Sequence, residues 1–301
     1  MTRAWRFSAG LVLLLATLAL VEWQLGWGPV LRAWTALPVD ILALATGGIL
    51  LSYACKAGRM AYAFRGSTRN QVWAMVRISQ LHNLAVGLVP MRAGEAAFPL
   101  LMKRRFGLGL VETTAALAWF RLLDLALLLG IPLGVHLAAL DARWFVAFLA
   151  LVALKIGLSP VLIRWFFRQL PARGKAGRLA ARVRRGVPRR RGDYWASLTW
   201  TCGIWGFKFW ALILLYVGFA QVSAEAAAAA VFGGELAAIL PIQGLAGAGT
   251  YEAGAAAALA PYGVALAGAL AAAVNVHLFM LAAAVLTALP FFLTPARHAA
   301  P

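Results

Sequence analysis

Leu88-Val89-Pro90-Met91-Arg92-Ala93-Gly94-Glu95 and Ile239-Leu240-Pro241-Ile242-Gln243-Gly244, the second running on through Gly247 and Gly249 to Glu252, decide how this chain is read. Each stretch breaks a hydrophobic run with proline and glycine, then places a carboxylate downstream of the break. Each carboxylate is succeeded at nearly equal distance by a further glycine, Gly107 and Gly263. Paired, interrupted hydrophobic segments in matching halves point to a transport site near the bilayer midplane. Translocation of something through or along the bilayer is the leading expectation.

The composition sets the solvent. The 301 residues are 63% hydrophobic and 13% charged, with a mean hydropathy of +0.80. A soluble domain has no use for so much apolar surface, so a polytopic membrane protein is expected. The apolar runs are too long and continuous for a β-barrel, whose strands alternate over about ten residues. Lipid cannot satisfy an open backbone, so the spans must be helices. The net charge of +18 sits in clusters between apolar runs, the pattern of the positive-inside rule and of contact with anionic headgroups. No folded domain presents those cations to a duplex, so nucleic acid is not an expected partner. Cys55 and Cys202 lie far apart with no ligand-spaced partner, and are read as small buried hydrophobes.

Charge and hydropathy then set a topology. Arg3 and Arg6 precede an apolar run read as an uncleaved first span at about 7–24. An outer loop comes after it, with Trp23, Trp27 and Trp34 at the interface. A second span, about 39–64, ends in the basic stretch Lys56, Arg59, Arg65 and Arg69, on the cytoplasmic side. Residues 71–102 form a re-entrant hairpin broken at Pro90, two half-helices of about 15 Å each, returning Lys103, Arg104 and Arg105 to the cytoplasm. Spans at about 112–139 and 143–166 come next. The segment from Arg164 to Arg191 carries eleven Lys or Arg and no acid, and is read as a solvated cytoplasmic loop over 164–193. A span at about 194–220, a second broken hairpin at 225–262 entered from outside, and a last span at about 264–293 complete the chain.

The expected fold is therefore all-α: about six full spans plus two re-entrant hairpins within a single integral membrane domain. Repeat 1, about 1–140, and repeat 2, about 141–301, are each two spans, a hairpin and a span. Their hairpins enter from opposite sides, which makes an inverted-topology repeat. Both termini are expected in the cytoplasm.

Asn83, the Pro90-x-Arg92-x-Gly94-Glu95 core, Arg121 and Asp124 resemble the signature of the lysylphosphatidylglycerol synthase transmembrane region. That family is also called flippase-like integral membrane proteins and includes hopanoid-associated members. Pro241, the glycines through Gly249, and Glu252 resemble its second hairpin, and the likeness spans about 10–290. The resemblance implies a bacterial or archaeal inner-membrane protein tied to lipid translocation or to glycolipid and envelope assembly. Full-length synthases continue into a soluble aminoacyltransferase domain; only a short tail lies beyond residue 294 in this sequence, so aminoacylation of phosphatidylglycerol is not expected. The second hairpin departs from symmetry: Gln243 and Leu245 stand where a cation matching Arg92 would be.

The candidate substrate-binding residues are Arg92, Glu95, Arg121, Asp124, Lys208, Glu235, Glu252 and Asn83, with Pro90, Gly94, Pro241, Gly247 and Gly249 as hairpin breakers. A carboxylate inside the bilayer is costly unless neutralised, paired or hydrated. Glu95 and Glu252 can line a polar cavity, taking up protons or meeting a headgroup amine; equally, they can satisfy free amides of a broken hairpin. Half-helix N-termini after Pro90 and Gly249 can hold a phosphate. Arg121 and Asp124, three residues apart, either hold the bundle together or bind a headgroup phosphate. Lys208 lies too deep in its span to snorkel easily and should pair with Glu235 or Glu252, whereas Lys56 can reach the cytoplasmic edge. His82 with Asn83, and Asn275 with His277, flank the two hairpins and serve either as interhelical hydrogen bonds or as a proton relay. The alanine-rich stretches 225–230 and 253–258 let helices approach closely.

Three functions compete. The first is a transporter or scramblase of a polar lipid across the inner membrane, with headgroups moving along a groove between the hairpins. The second is a non-catalytic accessory subunit of hopanoid or glycolipid biosynthesis, which implies an enzyme partner beside membrane lipids. The third is an intramembrane enzyme. No Walker A, G-x-S-x-G, H-E-x-x-H or Cys-His metal spacing is present, so no catalytic residue, metal or cofactor is expected.

Overall fold

The computed structural model describes residues 15, 19, 22–23, 26–69, 71–169, 173–188, 190–240 and 247–293. The expected first span at 7–24, the breaker Pro241 and the C-terminal tail fall largely or wholly outside them. The described residues are helical, with no strand among them. The helices are α1 (Trp27–Ala36), α2 (Val39–Ala63), α3 (Val72–Leu88), α4 (Ala97–Phe106), α5 (Leu110–Leu140), α6 (Ala142–Gln169), α7 (Gly174–Gly186), α8 (Arg191–Ala220), α9 (Ala224–Ala237), α10 (Thr250–Leu259) and α11 (Leu266–Leu293). Tight 3-10 turns come after α3 (Pro90–Ala96) and α10 (Ala260–Tyr262). Among the described residues, four helical stretches are long and apolar enough to cross a membrane: Val39–Ala63, Leu110–Gly134, Arg191–Ala220 and Leu266–Phe291.

The breaks have local chemical causes. A residue before proline is driven out of the α region, and Val89, at φ −87° and ψ 125°, duly ends α3. Pro90 then opens the 3-10 turn, where its missing N–H costs nothing. Gly107 and Gly263 both sit at positive φ, +67° and +73°, where each hairpin's second limb ends.

The chain divides into two compact units. One comprises residues up to Ala54, Val76–Ala97, and everything from Gly206 onward. In it α11 packs against α10 and α1, and α9 packs along α10. The seam between α9 and α10 is built of buried Ala226, Ala227, Ala230, Ala255 and Ala256. At its centre Gly233 and Gly254 bring the two backbones together so closely that an added Cβ would collide. Small residues supply this contact because lipid gives helices no hydrophobic reason to associate, leaving packing to do it.

The other unit comprises Cys55–Met75 and Phe98–Trp205. Here α5 carries both α6 and α7. The basic segment read as a loop contains the helix α7, docked where Gly186 meets the backbone of Glu112. Arg185 Nε donates to Glu112 Oε2 at 3.1 Å, while Lys175, Arg178, Arg182 and Arg184 stay exposed. Two further readings are corrected. The tryptophan-rich loop is helix α1, and Trp34 Nε1 donates to Asn275 Oδ1 at 2.6 Å. Cys55 is half-buried and Cys202 exposed, so neither is a fully buried hydrophobe.

Candidate functional site

In the first unit one side chain joins the turn that ends α3 to the end of α9. Arg92 lies in the 3-10 turn at φ +56°, a left-handed conformation in which an L-residue with a Cβ is strained. Its Nη1 donates to the carbonyls of Ala238 (3.4 Å) and Ile239 (3.2 Å), where α9 has ended. Its Nη2 donates to Glu95 Oε1 at 2.8 Å. The guanidinium thus caps the first limb of one hairpin from the tip of the other. The second carboxylate oxygen of Glu95 lies 3.7 Å from Nε2 of the wholly buried His82. One turn back on α3, Gln80 Oε1 receives Asn83 Nδ2 at 3.3 Å and lies 3.2 Å from Thr287 Oγ1 on α11. Arg92 and Glu95 remain about a quarter and a fifth exposed, so this polar knot is reachable.

Gly94 makes the turn possible. Its Cα rests against the backbone of Ala85 and Val86, and a Cβ there would collide with the Ala85 carbonyl. A backbone neighbour cannot swing aside. Gly94→Ala should therefore destabilise the protein by about 1–3 kcal/mol, the range for forced overpacking, read as a lower melting temperature in detergent.

The second hairpin uses its glutamates differently. Glu252 Oε2 accepts the Gly249 N–H at 2.8 Å, satisfying the open first turn of α10. Its Oε1 lies 2.6 Å from His277 Nδ1 on α11. The amide-capping role and a side-chain partner coexist in one residue. A carboxylate now occupies the α10 N-terminus, where its charge would oppose the phosphate expected after Gly249. Glu235, buried on α9, accepts Lys208 Nζ at 2.6 Å, which selects Glu235 over Glu252 as the lysine's partner. Lys208→Met would strand that carboxylate and should lower stability by about 3 kcal/mol. Adding Glu235→Gln should restore most of the loss in a thermal melt.

In the second unit Asp124 is the centre of a separate buried cluster. Arg59 Nη1 donates to Asp124 Oδ1 at 2.8 Å and to Thr201 Oγ1 at 2.8 Å, and its Nη2 reaches Asp124 Oδ2 at 3.4 Å. Arg121 Nη1 donates to Oδ2 at 3.1 Å, and Trp205 Nε1 to Oδ1 at 3.1 Å. The Arg59 guanidinium also stacks over Phe120, 4.6 Å from the ring centroid. Three helices, α2, α5 and α8, are tied at one carboxylate.

The structure thus gathers Arg92, Glu95, Gly94 and Asn83 around the first hairpin, and Lys208, Glu235, Gly247, Gly249 and Glu252 around the second. Arg121 and Asp124 stand in the other unit. Sequence reading misses Arg59: the charge pattern places it at the basic cytoplasmic end of its span, but it is 2% exposed. The available signal is spacing. Arg59 precedes Arg65 and Arg69 by more than one turn, well inside a helix that continues to Ala63. Gln80 and Thr287 give no such signal, being ordinary polar residues on apolar helices.

No curated protein and no solved structure matches the chain. The lysylphosphatidylglycerol synthase transmembrane region matches over residues 7–288, nearly the whole length and every residue of both clusters. With its Pro90-to-Glu95 turn folded back on Ala85 and its hairpins tied through Arg92, this chain belongs to that family.

Proposed function

We propose that the chain moves a polar lipid between the leaflets of the inner membrane, without catalysing a covalent step. The observation carrying this reading is Arg92: a partly accessible guanidinium, set among apolar helices, bridging the tips of two broken hairpins. Such a group suits a lipid phosphate, because a planar fork can trade its carbonyl bonds for phosphate oxygens while keeping Glu95. Glu95 and His82 then stand where a headgroup amine or hydroxyl would come next. The apolar helix faces leave the acyl chains in lipid. Membership of a family named for the membrane region of a lipid-modifying enzyme supports the same reading, since that region is the non-catalytic part.

The finer architecture belongs to this proposal: about six spans, two repeats of inverted topology whose hairpins enter from opposite faces, and both termini in the cytoplasm. α7 and the cations around it would then lie on the anionic cytoplasmic leaflet. The test is leaflet exchange of fluorescent phosphatidylglycerol in proteoliposomes. Exchange well above that of empty vesicles supports the proposal. Exchange at the empty-vesicle rate for phosphatidylglycerol, phosphatidylethanolamine and a glycolipid alike would reject it, leaving copurification with a biosynthetic enzyme as the expected finding.

A further inference from the structure

Beyond Arg92 the first unit holds a second set of ionisable groups that lipid binding does not use. Lys208 and Tyr216 come from α8, Glu235 from α9, Tyr251 and Glu252 from α10, and His277 from α11. Lys208 Nζ and Glu235 Oε1 are 2.6 Å apart, as are Glu252 Oε1 and His277 Nδ1. The Tyr216 and Tyr251 hydroxyls feel both carboxylates. Both tyrosines are buried, at 0% and 2% exposure, whereas the Lys208 and His277 side chains keep 22% and 11%. The set of groups is closed at its tyrosines and open at Lys208 and His277.

Its charge does not balance. Lys208 offsets Glu235, which leaves Glu252 facing a histidine. An ionised carboxylate only accepts hydrogen bonds, so the imidazole nitrogen 2.6 Å from Glu252 must donate. Neutral His277 then carries its hydrogen on Nδ1 and a lone pair on Nε2. That nitrogen faces Gly247, which sits at φ +77° and has no side chain; a Cβ there would lie 3.4 Å from Nε2. One proton on Nε2 makes an imidazolium against Glu252 and brings the set to neutrality.

Among the described residues, the surrounding elements supply no competing cation to this pair. α1 offers Trp34 to Asn275, and its Arg32 is exposed. α2 brings Tyr53 near Glu235. α3, which meets α11 at Gly87 and Leu281, brings His82, engaged with Glu95. Residues 241–246, which precede Gly247, include no charged residue.

We propose that Glu252 and His277 form a proton-binding site in the second hairpin, and that lipid movement is coupled to binding and release of this proton. The coupling rests on the lipid-transport reading; the proton site does not. The proton adds to His277 Nε2 and leaves from the same atom, with no other bond made or broken. Neutralising the set removes the electrostatic penalty on moving the hairpin through low dielectric, giving lipid exchange a directional input without a nucleotide.

Two measurements test it, both on the full chain. In nanodiscs, 15N-histidine NMR recorded across pH should show an Nε2 resonance, assigned by its loss in His277→Gln, that gains and loses its proton. Glu252→Gln should alter that response, with Glu252→Asp retaining it should the glutamine variant fold poorly. In proteoliposomes, a pH gradient should change leaflet exchange several-fold in wild type, while His277→Gln should exchange at one rate with or without it. A His277 that does not titrate overturns the proton site. Titration with exchange indifferent to the gradient overturns the coupling and leaves lipid movement standing. Titration with no exchange of any lipid overturns the transport reading, and the coupling with it, while the proton site stands.

Discussion

Asp124→Asn should cost the protein about 3–5 kcal/mol, the largest stability loss expected of any isosteric change in this chain. The substitution keeps shape and volume but removes the charge that Arg59 and Arg121 share. Arg59 has nowhere to go: at 2% exposure it cannot snorkel, and its aromatic neighbour Phe120 is only a partial substitute for an anion. Asparagine would also turn an amide donor toward either a guanidinium or the Trp205 N–H. The measurement is thermal or denaturant unfolding in detergent, then a cycle with Arg59→Gln. The double variant should recover more than half of the loss, because two neutral amides can pair where a lone cation cannot. Full additivity would mean that the three helices are not held by this charge.

The second large effect falls on activity. Arg92→Ala should reduce leaflet exchange by about tenfold or more, the consequence of losing charge-assisted hydrogen bonds worth about 1.5–3 kcal/mol. Arg92→Lys should recover little. The bridge uses both terminal nitrogens at once, one on the Ala238 and Ile239 carbonyls and one on Glu95. A lysine is a point charge on a flexible stem and cannot hold that fork. Glu95→Gln should be milder in stability and comparable in transport, since glutamine can still accept from Nη2 but no longer sets the charge beside His82. Equal exchange by all three variants and wild type would remove Arg92 from the site.

Helix positions were largely legible in the sequence. The spans expected at 39–64, 112–139, 194–220 and 264–293 appear as Val39–Ala63, Leu110–Leu140, Arg191–Ala220 and Leu266–Leu293, each with a stretch long and apolar enough to cross a membrane, and the one expected at 143–166 falls within the helix Ala142–Gln169. Length and hydropathy suffice where the solvent is lipid, and Pro90 marks its break by a local steric rule. Side-chain partnerships were less visible. Glu252 and His277, or Asp124 and Arg59, are brought together by helix packing that no window of sequence contains. A run of cations hid α7 because its anchoring face is made of small residues: Gly177 and Gly186 carry no hydrophobic signature, yet they let the helix lie on its neighbour. Local pairs such as Arg92 with Glu95 were readable because three residues of separation can decide them.

The backbone at Arg92 has a consequence for anyone engineering this protein. The proposed site uses a guanidinium at a position whose φ of +56° suits glycine or asparagine. Arg92→Gly relieves strain of about 1–2 kcal/mol while discarding the bridge, so a screen on heat resistance alone would not reject it. Such a variant would pass the screen without the bridge. Stabilising this protein for biochemistry is better attempted far from that turn, with Arg92 held fixed by selecting on transport and heat together.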